Sequence, residues 1–233
     1  MKILNHNRKE FCVAHFQSKC QSNYPQVIEV INKQDIVIPE DVEIITVTNR
    51  QNVSILVEQL KKFNIGFINK VPQGIYWTNL KKIGYIIEGL LEVKSKYALI
   101  LDADDVLLTK DIINIVDKFS LYNKKLIFGA TKNNHPDYVI DKIYDRDFRG
   151  EYRYLNAGSC FGTVDFCLEF YTKTNEILQT VIIYNPYKSE QLIIRNAFKD
   201  VTDLVDFDYQ CKLFQTFCGA HVWKFTDNSY IVI

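Results

Sequence analysis

The sequence predicts an α/β fold, a mostly parallel, Rossmann-like sheet covered by helices on both faces. Two observations carry that expectation. Strand-like and helix-like segments alternate from residue 42 onward, and the strongest apolar strand, Tyr97-Ala-Leu-Ile-Leu101, runs directly into Asp102. A hydrophobic fraction of 47% over 233 residues is ample for one large core.

Val42–Thr48 is β-branched and apolar, a buried strand. Over Asn52–Phe63 the apolar residues Val53, Leu56, Val57, Leu60 and Phe63 recur at helical spacing. Ile65–Ile68 reads as the next strand, and Leu80–Val93 as a second amphipathic helix with Leu80, Ile83, Ile87, Leu90 and Leu91 on one side. After Tyr97–Leu101, Asp111–Phe119 is a short helix with an acidic first turn, and Leu126–Phe128 is another strand. Ahead of these units, residues 1–40 carry two apolar patches, Phe11–Phe16 and Val27–Ile31, expected as one or two helices. They form an N-terminal elaboration on a main domain spanning 41–233, with Pro39-Glu-Asp41 as the break. A parallel sheet of this kind binds its ligands beyond the carboxyl ends of its strands.

Lys+Arg and Asp+Glu both number 28, so no global field recruits nucleic acid or an anionic membrane. Six cysteines, at 12, 20, 160, 167, 211 and 218, form no C-x-x-C pair of a zinc or redox centre. No run is apolar enough to span a bilayer, and Met1–Glu10 lacks the apolar core of a signal peptide. Free thiols in a cytoplasmic protein are the expectation.

The chemistry concentrates where the best strand ends. Asp102, Asp104 and Asp105 put three carboxylates within four positions beside the core, where like charges and desolvation both oppose ionisation. A divalent cation relieves that repulsion; oxygen ligands favour Mg²⁺, Mn²⁺ or Ca²⁺ over Zn²⁺, and the ion can bridge to a diphosphate. The plainer alternative is a solvated turn with Asp105 capping the next helix. Nucleotide-sugar transferases place a D-x-D at such a strand end. Phosphohydrolases of the haloacid dehalogenase type place a nucleophile and an acid there, here Asp102 and Asp104. The phosphohydrolase fold needs a later strand ending in an acidic pair; Asp203 and Asp206 lie in a weakly apolar stretch without the accompanying glycine. Two strand–helix units also precede the motif, which favours the transferase. A degenerate, non-catalytic nucleotide-sugar binder is the third alternative.

Further motifs follow in order: Lys125-Leu-Ile-Phe-Gly-Ala130, His135-Pro-Asp137, Tyr154-Leu-Asn-Ala-Gly-Ser-Cys-Phe-Gly162, Ser189-Glu-Gln-Leu192 and Phe207-Asp-Tyr-Gln-Cys-Lys-Leu-Phe-Gln215. With Tyr97–Leu108 they resemble the glycosyltransferase domain of the procollagen lysyl hydroxylase/glycosyltransferase family, over about residues 42 to 225. The resemblance implies a GT-A fold, Mn²⁺, and transfer of glucose or galactose from a UDP-sugar donor to a hydroxyl of a glycan or protein acceptor.

By position, it implies Asp102 and Asp105 as metal ligands. Asp104 stands where the family carries an aromatic that touches the nucleotide, whereas strand alternation alone would pair it with Asp102 on one face. All three remain candidates. Thr46, Val47 and Thr48 look like the base-binding segment, or are simply strand filler. Lys81 matches a lysine that neutralises phosphate, or is a solvated helix charge. Asn156-Ala-Gly158 resembles the segment facing the sugar: the Asn156 amide would bond hydroxyls, and Gly158 would allow close backbone approach. A turn is the alternative there. Glu190 falls where the family has carboxylates, as general base or stabiliser of an oxocarbenium-like centre, or as the start of a helix capped by Ser189. Asp208 looks structural. Tyr76 and Trp77 lie near the family's donor-binding positions, or pack in the core, and His135-Pro-Asp137 occupies a loop position where the family carries a Trp that is absent here. The family's third protein ligand is a histidine beyond the Phe-Gln region; His221 stands too early to match it. The expected protein ligands are therefore carboxylates alone, completed by water or nucleotide oxygens, with the His221 imidazole as the alternative if the chain folds back over the site. Removing one of three repelling charges, as in Asp102→Asn, should then spare the fold.

Overall fold

The computed structural model describes residues 2–4, 9–16, 25–50, 53–72, 78–135, 150–181, 189–217, 224–226 and 230–232. The chain begins with β1 (Lys2–Leu4), β2 (Val13–Phe16), α1 (Pro25–Asn32), β3 (Val42–Val47), α2 (Ile55–Lys62) and β4 (Ile68–Lys70). It continues through α3 (Lys81–Leu90), β5 (Tyr97–Leu101), β6 (Val106–Leu108), a 3₁₀ turn at Lys110–Asn114, α4 (Ile115–Ser120), β7 (Leu126–Thr131) and β8 (Tyr154–Thr163). Next come α5 (Val164–Val181), α6 (Glu190–Phe198), β9 (Val205–Phe207), β10 (Phe214–Phe217), β11 (Lys224–Thr226) and β12 (Tyr230–Val232).

Six strands form the main sheet in the order β4-β3-β5-β8-β7-β9. β8 runs against its neighbours β5 and β7; the other pairings are parallel. This is the mostly parallel, helix-covered α/β sheet that the alternation predicts. β5 shows why its sequence reads as continuously apolar: Ala98 and Ile100 face one core and Tyr97, Leu99 and Leu101 the other. The first core packs α3, α5 and α6 on the sheet through residues such as Ile83, Phe170 and Ile194. The second packs α2, α4 and a smaller sheet through Leu56, Phe119 and Phe214.

That smaller sheet has the order β10-β2-β6, with β2 parallel to β10 and antiparallel to β6. Phe11–Phe16, expected as helix, thus contains the middle strand of a sheet buried on both faces. A short, continuously apolar run has no period that separates strand from buried helix, and only its partners decide. Val27 and Ile31 do lie on a helix, α1. The expected strand at Ile65–Ile68 begins only at Ile68. Residues 63–65 close α2, with Asn64 in the left-handed region (φ 54°) and Ile65 N donating to Leu60 O. β1, β11 and β12 form a third, terminal sheet.

Candidate functional site

The turn Asp102–Asp105 is pinned from three directions. At its start, Asp102 N donates to Gly158 O at 2.8 Å. In its middle, Ala103 O accepts from Ser54 Oγ (2.6 Å) and Leu56 N (3.2 Å), so the residue that caps α2 also holds the turn. At its end, Asp105 O accepts from Phe16 N at 2.7 Å, and β6 continues alongside β2.

β8 contributes an irregularity at this point. Phe128 faces Cys160 across β7–β8, yet the next residue, Gly129, faces Asn156, so Ala157, Gly158 and Ser159 bulge out of that pairing. Bulges of this kind re-aim backbone beside active sites. Here the bulge drives Gly158 into the carboxylates. A Cβ on Gly158 would stand 2.5 Å from Asp102 Oδ2 and overlap the His15 ring.

His15 is the unforeseen member. It lies on β2, only 2% exposed, with Nε2 3.4 Å from Asp105 Oδ2. His15, Asp102 and Asp105 each offer a ligand atom within 4.8 Å of the others, a metal-binding grouping among the described residues. The imidazole comes from the N-terminal strand, not from a segment beyond the Phe-Gln region. Burial opposes its charge, but Asp105 and then Asp102 outweigh burial and raise its pKa. Asp105 is correspondingly lowered: burial pushes it up, while His15 and Lys82 pull it down further.

Lys82 lies on the other side of Asp102. Its buried ammonium pairs with Asp102 Oδ1 and lies 3.7 Å from Glu190 Oε1, at the start of α6. Burial disfavours this cation, but Asp102 and Glu190 outweigh it and raise its pKa. Glu190 is raised, by burial first and with Lys82 opposing. Asp104 turns outward to Arg50 Nη1 at 2.8 Å; burial raises its carboxyl and Arg50 partly offsets the rise.

A cleft of about 230 Å³ is lined by Val47, Thr48, Asn79, Lys82, Asp102–Asp105 and Glu190. It gathers many of the sequence-predicted positions. Thr46 is buried within β3, outside that lining. The Thr48 main chain is engaged by Asn69, whose carboxamide accepts from Thr48 N (3.2 Å) and donates to Thr48 O (3.1 Å). Asn156 is buried, and its Oδ1 accepts from Gly158 N at 2.8 Å, shaping the bulge. Lys81 is exposed and borders a different groove, with Thr78, Tyr85 and Asn175. Ser189 precedes α6 without a side-chain capping bond. Asp208 is fully buried and accepts from Lys212 N, Leu213 N and Phe214 N at 2.9, 2.6 and 2.7 Å and from the Tyr122 hydroxyl. Tyr76, Trp77, Pro136, Asp137 and His221 lie outside the described residues.

Helical phase was the available signal for Lys82. Ile86 and Gly89 follow it at i+4 and i+7 on the buried stripe of α3, whereas Lys81 points outward. His15 gave no local signal, being one histidine in an apolar run.

The protein family described as PLOD GT domain matches residues 75–228. This chain belongs to that family. The PLOD GT match includes Lys82, Asp102–Asp105, Asn156–Gly158 and Glu190, and leaves His15 and Thr46–Thr48 outside it. Membership makes the chain a glycosyltransferase domain, with a nucleotide-sugar donor and an acceptor as its class of partners. No curated protein matches the chain. Among solved structures, it is similar to 4-diphosphocytidyl-2C-methyl-D-erythritol synthase from Anaerococcus prevotii DSM 20548, with 13% identity and a TM-score of 0.36 over 95% of this chain and 90% of that one. Among the described residues, no helix is long and apolar enough to cross a membrane.

The cluster's donor set fits a divalent metal. Two carboxylates and one imidazole converge on one point, the glycine there leaves room, and Lys82 holds the second oxygen of Asp102. With an imidazole present the set is not purely oxygen, so the discrimination against Zn²⁺ expected from carboxylates alone is weaker.

Proposed function

We propose that this glycosyltransferase domain moves a hexose, glucose or galactose, from a UDP-sugar to an acceptor hydroxyl with a divalent metal, Mn²⁺ or Mg²⁺. The observation that carries the reading is the convergence of His15, Asp102 and Asp105 at the carboxyl end of β5, where Asp102 and Asp105 line one cleft with Lys82 and Glu190. His15, Asp102 and Asp105 would hold the ion. Bound there, it would supply positive charge to the diphosphate that departs.

This chain's own residues do the rest. Lys82 fixes Asp102 through one oxygen and leaves the other facing His15 and Gly158. Its ammonium also stands close enough to Glu190 to set that carboxylate's orientation. Glu190, its pKa raised by burial against the pull of Lys82, would take the proton of an acceptor hydroxyl. Val47 and Thr48 border the cleft where the nucleoside would enter; because Asn69 occupies the Thr48 main chain, base contacts would fall to side chains or require Asn69 to move.

A donor-hydrolysis assay tests the proposal. UDP-glucose or UDP-galactose should turn over with Mn²⁺ and stop with EDTA. Preference for GDP-mannose, or no turnover of any UDP-hexose, would remove the reading.

A further inference from the structure

An imidazole has two ring nitrogens, and the cluster engages only one of those on His15. Nε2 lies near Asp105 Oδ2 and Gly158. Nδ1 is fully buried and has no hydrogen-bond partner among the described residues. In a metal-ligating histidine, the second nitrogen's bond sets the tautomer and aims the lone pair of the first.

On β10, parallel to β2, the register partner of His15 is Thr216. Register partners project to the same face, on strands about 4.8 Å apart. Thr216 is fully buried, and its Oγ1 also has no partner among the described residues. Its carbonyl is occupied, by the Tyr152 hydroxyl at 3.2 Å and Gln215 Nε2 at 3.1 Å. Gln215 itself, one residue earlier, projects to the opposite face. One face of this small sheet therefore carries two adjacent buried polar atoms, an imidazole nitrogen able to donate and a hydroxyl able to accept. Buried groups of this kind are expected to be paired.

We propose that Thr216 is a positioning residue of the metal site, its hydroxyl accepting the Nδ1–H of His15 directly or through one water and so leaving Nε2 free to ligate. This rests on the reading of His15 as a metal ligand.

The test is Mn²⁺ binding in the presence of UDP, followed by the electron paramagnetic resonance signal of free Mn²⁺, in the parent, Thr216→Val, Thr216→Ser and His15→Gln. Thr216→Val should weaken Mn²⁺ binding roughly 10- to 100-fold, and Thr216→Ser should restore it to within a few-fold. The metal-free thermal midpoint of Thr216→Val should fall modestly, because the buried Nδ1–H of His15 loses its acceptor, and Thr216→Ser should recover it. Parent-like Mn²⁺ binding in Thr216→Val, with binding lost in His15→Gln, overturns the proposal and leaves His15 as ligand. Failure of Thr216→Ser to restore binding overturns it as well. Parent-like binding in His15→Gln, or no Mn²⁺ binding by the parent, overturns both the proposal and the reading beneath it.

Discussion

At Asp102 the local charge balance differs from that of an isolated acidic turn. Repulsion among three aspartates predicts that Asp102→Asn relieves strain, but Lys82, 8% exposed, pairs with that carboxylate. Neutralising Asp102 leaves a buried ammonium with Glu190 as its nearest carboxylate among the described residues, 3.7 Å away. Asp102→Asn should therefore lower stability by roughly 1–3 kcal/mol in urea titrations, less than a fully buried pair because Asp102 retains contact with water. It should also abolish metal-dependent UDP binding. Gly158→Ala should behave differently: its methyl would overlap His15 and press on Asp102 Oδ2, so metal binding falls even where the fold adjusts. Glu190→Gln should cut transfer roughly 10²- to 10⁴-fold while UDP affinity stays within a few-fold, since on the proposed reading the residue would face sugar or acceptor. A loss of thermal stability with unchanged turnover per folded molecule would instead make Glu190 a helix-start residue. The candidate carboxylates were legible because clustered charge at the end of a buried apolar strand is costly unless a cation offsets it. Lys82 and Lys81 differ only in helical phase, which puts Lys82 on the buried stripe of α3 and in the cleft lining.

Single side chains also hold whole elements in place. Asp208 receives three consecutive backbone N–H groups ahead of β10, and Leu213 O then accepts from Cys12 N and Val13 N, so one carboxylate supports both β10 and β2. An amide there can satisfy fewer donors and adds its own. Asp208→Asn should cost roughly 2–4 kcal/mol, read by chemical denaturation. On β3, Glu43 Oε2 accepts from Lys94 N (2.6 Å) and Ser95 N (2.9 Å), tying the approach to β5. Burial opposes the Glu43 charge, but the Ser95 and Lys94 amides outweigh it, and the carboxyl sits below its ordinary value. A depressed carboxylate contributes stability above its unfolded pKa and loses it as pH falls through the folded one. Glu43→Gln should thus cost about 1 kcal/mol at pH 7, with the gap closing below roughly pH 4; a gap independent of pH would contradict the assignment. The longer strands and helices from Val42 to Phe128 were legible because their apolar periods are long enough to count, whereas the three-residue strands β4 and β6 were misplaced or missed. β2 was not, since its identity depends on β6 and β10, which lie about 90 and 200 residues away in sequence.

Across the whole molecule, the first strand of the smaller sheet and the acidic turn of the main sheet form one site. Treating residues 1–40 as an elaboration hides this, because β2 is the middle strand between β10 and β6 and carries His15. Removing residues 1–16 should expose the facing edges of both partners and abolish cooperative unfolding, which circular dichroism melts would report. A sharp, parent-like transition would make β2 dispensable. Order of elements, charge pattern and apolar period could not bring residue 15 beside residue 102; tertiary pairing did. On the proposed function, the nucleotide binds in this cleft through a metal held by His15, Asp102 and Asp105. Calorimetric titration of UDP into the protein, with Mn²⁺ and again with EDTA, tests it most directly. Binding should be strong with Mn²⁺ and lost with EDTA; equal UDP affinity in both would rule out the metal-bridged nucleotide.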